Sequence, residues 1–437
     1  MKIILNEEQF KLYETYIINN LFEDDNPAFS RSNAKKYNGV SELWELIDKK
    51  QKELHNAVFG ELGDKLDSLT IEKSKLMGKQ YLSIPNVMCH AGNQKLPENV
   101  LIINMSSSLM CPSFYLGLCR ITNGACYAQR AENQYTTSVM PQRFQTDLMH
   151  TQMLTQYQKG NKDPMRQYFR LIELYIQLAN KYATEECRNI ISNTESKLRR
   201  KLTKEEKDFV TMINSKNKIT DVRLNETGDF HCQLAVNLWA KFAKKIKRKY
   251  GIDTHAYTAR NLDFSKASNY INMNYSHEGE YDNENVKPRF FRAVKDAYYN
   301  NLPETGIDEN FQPILGTNEK GEKYYKCPCG QDESACDKCG VCFKKNTTGC
   351  EYTIFVKYHG LKNASGLKSA YTQNEIKPIV DMYKQNGWTT EKESEKSDSN
   401  QTKEKLDIFS KNVERLRNAD KKKKEKPKKT KTKKVSK

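Results

Sequence analysis

The feature that most restricts the fold is an alternation across residues 221–274. Strands are expected at Asp221–Asn225, Thr254–Thr258 and Tyr270–Asn274, with a helix at about 231–249 between the first two. In that helical stretch Ala235, Leu238, Trp239, Phe242 and Ile246 recur at spacings of three and four. Lys241, Lys244, Lys245, Lys247 and Arg248 occupy its other side. A connection of this length is a crossover, so the strands it joins run parallel. The rhythm predicts an α/β fold of parallel βα units, of which a full or partial TIM-like barrel is one form.

Further elements fit the same scheme. Val100–Asn104 reads as a buried strand, and helices are expected at about 164–186 and 202–216, with Pro164 placed where a helix can begin. Amphipathic helices at 5–20 and 41–57, the second carrying Leu43, Leu46, Ile47 and Leu54, suggest an N-terminal helical cap. The strand Tyr352–Tyr358 ends at His359-Gly360, and weaker helices are expected at 375–385 and 403–418. At about 150 residues per domain, 437 residues suggest two or three units. The expected division is an N-terminal helical region (1–80), an α/β core (81–300), a cysteine-rich metal-binding subdomain (301–370), and a linker with a disordered tail (371–437).

Charge is concentrated in that tail. Residues 421–437 hold eleven Lys and one Glu, +10 of the formal +17. Such a run favours nucleic acid as a partner, through sequence-independent and salt-sensitive phosphate contacts. No run of about eighteen apolar residues occurs, so no membrane-spanning helix is expected. The N-terminus MKIILNEEQF is too short in apolar residues for a signal peptide, which predicts a cytoplasmic protein. Twelve cysteines in such a chain point to metal or redox chemistry rather than disulfides.

Nine of those cysteines form two groups. Cys111, Cys119 and Cys126 share one loop after the Val100–Asn104 strand, broken by Gly117 and Gly124. Three thiolates with one open position suit an iron–sulfur cluster that binds a substrate or cofactor. With Cys89 or His90 as a fourth ligand, the same set could close around zinc. The second group is Cys327, Cys329, Cys336, Cys339 and Cys342, with Cys350 eight residues on. Its dense spacing, with Gly330 and Gly340 for sharp turns, points strongly to metal. Thiolate-only ligation suits zinc and iron–sulfur clusters alike. Free buried thiols are the plainer alternative for both groups.

A third site is VRLNETGDFH. Gly228 and Asp229 fall where a strand gives way to a helix, the end at which parallel α/β folds bind ligands. Asp229 is therefore a candidate catalytic residue, although capping of the following helix would also explain it. The same position lifts Arg223, Thr258 and Arg260. His231 and His255 lack ligand spacing and are expected to be structural.

These motifs together resemble a family of phage and plasmid proteins named for mycobacteriophage gene product eighty-eight. The matching parts are Cys111-Pro112, Cys119 and Cys126-Tyr127-Ala128, then Arg223 to Phe230, then Ala256-Tyr257-Thr258. Cys336–Cys350 followed by a strand and His359-Gly360 completes the set, over about residues 80–360. The resemblance implies a mobile-element origin and hence the host cytoplasm.

Three functions are weighed. The first is an iron–sulfur enzyme, distantly similar to radical S-adenosylmethionine enzymes, acting on nucleic acid or a nucleotide-derived substrate. Those enzymes also place three cysteines after an early barrel strand, at tighter spacing, and implicate S-adenosylmethionine as cofactor. The second is a zinc-stapled α/β protein in which Asp229 acts on a nucleobase, as in tRNA-guanine transglycosylases. The third is a non-enzymatic nucleic-acid-binding protein. A pure binder has no need of three thiolates beside a strand-end carboxylate, which favours the first. On that reading Cys126→Ala or Asp229→Ala abolishes activity while leaving the fold largely intact.

Overall fold

The computed structural model describes residues 37–59, 89–92, 96–105, 111–115, 118, 128, 139–214, 218–276, 286–294, 296–328, 336, 339–357 and 384–388. The helices expected at 5–20 and 403–418, nearly all of that at 375–385, Cys119, Cys126, Cys329, His359-Gly360 and the Lys-rich tail lie outside the described residues. So do the side chains of Cys89 and His90.

Helix α1 (Asn38–Phe59) precedes strands β1 (Cys89–Ala91) and β2 (Val100–Ile103). A single turn α2 (Pro112–Tyr115) and the helices α3 (Val139–Gln158), α4 (Asp163–Leu198) and α5 (Lys204–Asn214) lead to β3 (Asp221–Leu224). Helix α6 (Gln233–Tyr250) joins β3 to β4 (Asp253–Thr258), and a 3-10 turn at Ala267–Asn269 leads to β5 (Asn272–Tyr275). Then follow β6 (Arg289–Val294), α7 (Asp296–Asn301) and the short strands β7 (Gly306–Ile307), β8 (Pro313–Ile314) and β9 (Gly316–Thr317). The last two strands are β10 (Lys323–Lys326) and β11 (Tyr352–Lys357).

Nine of these strands make one sheet in the order β1-β2-β3-β4-β5-β6-β11-β10-β9. From β2 to β10 every pairing is parallel, and only the edge strands β1 and β9 are antiparallel. The expected βα architecture is thus present, and β10 and β11 carry the sheet past residue 300. The edges β1 and β9 do not pair, so the described strands form an open sheet and not a closed barrel. Strands β2 to β6 lie side by side in chain order. With crossovers of one hand, that order puts the connecting helices on one face.

The side chains divide accordingly. Leu101, Ile103, Val222, Leu224, Ala256, Met273 and Phe290 point into the main core, with Tyr168, Leu171, Tyr175 and Leu178 of α4 and Ala235, Trp239, Phe242 and Ile246 of α6. Phe169 of α4 stacks on Phe242 at 4.7 Å and meets Trp239 edge-on at 5.0 Å, pairs worth about 0.5–1.5 kcal/mol each beyond their burial. Helix α6 ends where the sequence predicts. Gly251 takes φ +73, which a side chain would resist, and Lys247, Arg248 and Lys249 face the negative end of the helix dipole.

Two boundaries moved. Helix α4 runs to Leu198, twelve residues beyond expectation, because α5 packs back along its polar second half. Strand β5 starts at Asn272 and not Tyr270, since the 3-10 turn takes up Ala267–Asn269. Farther along, Trp388 is 2% exposed, and its Nε1 donates to Gln158 Oε1 at 3.1 Å, anchoring residues 384–388 on α3.

Candidate functional site

The carboxyl ends of β2, β3 and β4 are stitched into one polar network. Thr227 Oγ1 donates to Asn104 Oδ1 at 3.0 Å, and Met105 N–H donates to the Thr227 carbonyl at 3.2 Å. Asn225 stands at φ +58, and its Nδ2 donates to the Tyr257 carbonyl at 3.1 Å. Gly228, at φ +82, turns the chain so that Asp229 points inward.

Asp229 is the hub of this network and is 3% exposed. Its Oδ1 accepts from Thr258 Oγ1 and Phe230 N–H, both at 2.7 Å. Its Oδ2 accepts from Ser113 Oγ at 2.6 Å and Ala259 N–H at 2.8 Å. Burial pushes the carboxyl pKa up, and these donors only partly pull it back. The capping alternative is corrected, because the N-cap of α6 is Cys232 and Asp229 binds elsewhere. Ser113 lies two residues past Cys111, so Asp229 ties the turn that carries Cys111 to β3 and β4. Ser113→Ala is expected to cost about 1–3 kcal/mol, as a buried carboxylate loses a donor. A denaturation midpoint equal to wild type would contradict that.

Arg260 is fully buried and acts as a clasp. Its guanidinium donates to the carbonyls of Phe230 at 2.8 Å, His231 at 2.9 Å and Trp388 at 2.7 Å. Arg223 instead projects from β3 to the opposite face of the sheet, its guanidinium 5.0 Å from the Tyr257 ring. The structure thus joins Asp229, Thr258, Gly228 and Arg260 in one network and sets Arg223 apart.

Behind the network is a pair the sequence did not suggest. His231 Nε2 lies 2.7 Å from Asp147 Oδ1, both fully buried. The neighbouring His150 is held by the Met105 carbonyl at 2.9 Å. Burial pushes both imidazoles down to about 3, helped by Arg260 at His231 and by His231 at His150. Both histidines are therefore structural and neutral, as expected for His231. Asp147 and His150 belong to α3, whose buried face is polar at Thr146, Asp147, His150 and Thr151, so no apolar stripe marks it in the sequence.

The cysteines divide between these regions. Cys111 is buried at the carboxyl end of the sheet. Cys327, Cys336, Cys339 and Cys342 gather on the face bearing Arg223, in an apolar cluster with Tyr325, Val341, Tyr352 and Ile354. Cys336 and Cys342 also pack against Val100 and Ile102 of β2, the strand that leads to Cys111. Among the described residues, no three His, Cys, Asp or Glu side chains are grouped to hold a metal. His255 is buried on this face, stacked on Phe343 at 4.5 Å, with no hydrogen bond to either ring nitrogen among the described residues. Among the described residues no helix is long and apolar enough to cross a membrane.

Residues 177–345 match the family model described as Gene product 88. The Asp229 turn, α6 and Cys327 to Cys342 of the second cysteine group fall within the match, Cys350 lies just past it, and the 111–126 stretch precedes it. No curated protein and no solved structure matches the chain.

Proposed function

We propose, for a chain whose residues 177–345 belong to the Gene product 88 family, that the carboxyl end of the sheet serves an iron–sulfur enzyme acting on nucleic acid or a nucleotide-derived substrate. The observation that carries this reading is the burial of Cys111 and of the described residues nearest Cys119 and Cys126 in the chain. Cys111 is buried, Leu118 beside Cys119 is 3% exposed, and Ala128, two residues past Cys126, is 2% exposed. Leu118 N–H donates to the Ser113 carbonyl at 3.0 Å, and Arg143 donates to the Ala128 carbonyl at 3.3 Å. Each cysteine is thus within two residues of a fixed point.

In the sequence, three cysteines follow strand β2 with no fourth before Ala128, a donor set that suits a cluster with one open iron better than a closed zinc site. When bound, such a cluster supplies one-electron chemistry, including reductive cleavage of S-adenosylmethionine. The chain's own residues position it. Asp229 holds Ser113 and hence the Cys111 turn, Thr258 and Ala259 hold Asp229, and Arg260 holds the Phe230–His231 backbone. Four donors already occupy the Asp229 oxygens, which disfavours the reading in which it attacks a nucleobase.

The exposed side of α6 supports an anionic partner. It carries Lys241, Lys244, Lys245, Lys247, Arg248 and Lys249. Lys245 and Lys249 are engaged by Glu173 and Lys247 by Asp253, while Lys241, Lys244 and Arg248 extend the positive surface. Reduced protein, purified without oxygen, should release 5′-deoxyadenosine from S-adenosylmethionine, and Cys126→Ser should not. Cluster-loaded protein that leaves S-adenosylmethionine intact would remove this cofactor from the account.

A further inference from the structure

Helix α6 carries six basic residues and no acidic one. Lys247, Arg248 and Lys249 sit in its last turn, where the helix dipole alone favours cations. Lys241 and Lys244 lie further back, where that effect has faded, so the dipole does not account for them. Together Lys241, Lys244, Lys245 and Arg248 fall at i, i+3, i+4 and i+7, all exposed, and make one stripe about 10 Å long.

Packing against α4 extends the stripe instead of neutralising it. The Glu173 side chain is fully buried where α4 meets the end of α6. Its Oε2 accepts from Lys245 at 2.5 Å and lies 3.9 Å from the Arg170 guanidinium, while its Oε1 lies 3.3 Å from Lys249. One carboxylate thus orders three cations and leaves the group two charges positive. The three side chains remain 48–53% exposed, so their outer sides stay open to a second anion. Lys241, Lys244 and Arg248 make no ion pair among the described residues.

An aromatic ring flanks the stripe. Tyr270, at the end of the 3-10 turn, is 38% exposed, and Lys244 Nζ stands 5.1 Å from its ring centre. Cations beside an exposed ring suit a single strand of nucleic acid, with phosphates on the cations and an unpaired base against the ring. A duplex keeps its bases stacked inside and has no use for the ring. An anionic bilayer would take up apolar side chains, and α6 turns its own into the core.

We propose that this face of α6, with Arg170 and Tyr270, binds single-stranded nucleic acid along its backbone. Its position bears on the length of the strand. Helix α6 begins at Gln233, next to the Asp229 turn at the carboxyl end of the sheet, and runs back toward the amino end. At 1.5 Å per residue, Arg248 lies about 22 Å along the helix from Gln233. A free nucleotide cannot touch both ends of that distance, and a strand of several nucleotides can. As a choice between the two substrate classes named above, the inference rests on the enzyme reading; as a binding surface it stands without it.

Salt titration of the intact chain against a labelled oligothymidylate tests the surface. Residues 421–437 bring the same charge to every variant, so differences between variants report the face. In the triple variant Lys241→Gln, Lys244→Gln, Arg248→Gln, the slope of log affinity against log salt should shrink by about 2, at about 0.7 per phosphate contact. Changing Lys320, Lys323 and Lys345, exposed beyond β9 and before β11, to Gln removes the same charge and should leave the slope as it was. Tyr270→Ala should weaken the oligothymidylate roughly tenfold and a duplex of equal length little. Equal shrinkage in both triple variants, no shrinkage in the first, or tighter binding of duplex than of single strand would each overturn the proposal. Neither iron nor S-adenosylmethionine enters these measurements, so a chain that binds the strand but holds no cluster would remove the enzyme reading and leave the surface standing.

Discussion

Asp229→Ala is expected to remove most of the folded protein and not merely its activity. The substitution strips the acceptor from four donors at once: the hydroxyls of Ser113 and Thr258, and the amides of Phe230 and Ala259. Hydroxyls can rotate to other partners, but the two amides cannot. Each buried donor left unsatisfied costs about 1–3 kcal/mol. The sum is several kcal/mol, against a net stability of about 5–15 kcal/mol for a whole domain. Asp229→Asn keeps one acceptor oxygen and should fall between wild type and Asp229→Ala. Soluble yield and urea denaturation decide the matter. An Asp229→Ala protein with a wild-type unfolding midpoint and no activity would restore Asp229 as a catalytic residue. The expectation from sequence, that this change spares the fold, assumed a carboxylate open to substrate.

The second large effect is acid sensitivity. His150 and His231 are held near a pKa of about 3 in the folded chain, against 6.5 for an ordinary histidine. A base with a lowered folded pKa favours folding above the unfolded value, and that advantage is lost as pH falls. Below about pH 6.5 the unfolded chain takes up protons that the folded chain refuses, so stability drops with falling pH until about pH 3. At about 1.4 kcal/mol per unit, each histidine costs roughly 2 kcal/mol by pH 5. The charge of Asp229 works in the other direction on His231, but complete burial and the charge of Arg260 outweigh it. Unfolding free energy measured between pH 7 and pH 5 should fall steeply. In a His150→Gln, His231→Gln double variant the slope should flatten, and an unchanged slope would rule out these two groups as its origin.

How much of this was legible in the sequence depended on whether a residue's neighbours were local. Strands β2, β3, β4 and β11 and helix α6 carry their own periodicity, and the sequence places them to within a residue or two. Strand β6 reads RFFRAV, and its leading Arg289 disguises a strand buried at that end. Strand β10, KYYK, is hidden by its terminal lysines, of which Lys326 is buried and bound to Glu304. Asp229 and Arg260 were identified by position at strand ends. Their partners Ser113 and Trp388 lie 116 and 128 residues away, and no spacing rule reaches that far. Arg289, Asn272 and Asn274 were missed because polar residues inside strands look like surface. Here the surface is covered by the turn that carries Cys342. The closed form of the barrel was a reading of rhythm alone, and the edge pairings, which decide it, are tertiary.

Iron and acid-labile sulfide in the intact chain purified without oxygen, with its visible spectrum, decide whether the chain holds a cluster. A cluster on Cys111, Cys119 and Cys126 predicts roughly four irons and as many sulfides per chain, with broad visible absorption that disappears in the triple serine variant. A colourless chain carrying zinc alone, in the same amount whether or not those three thiols are present, would contradict it.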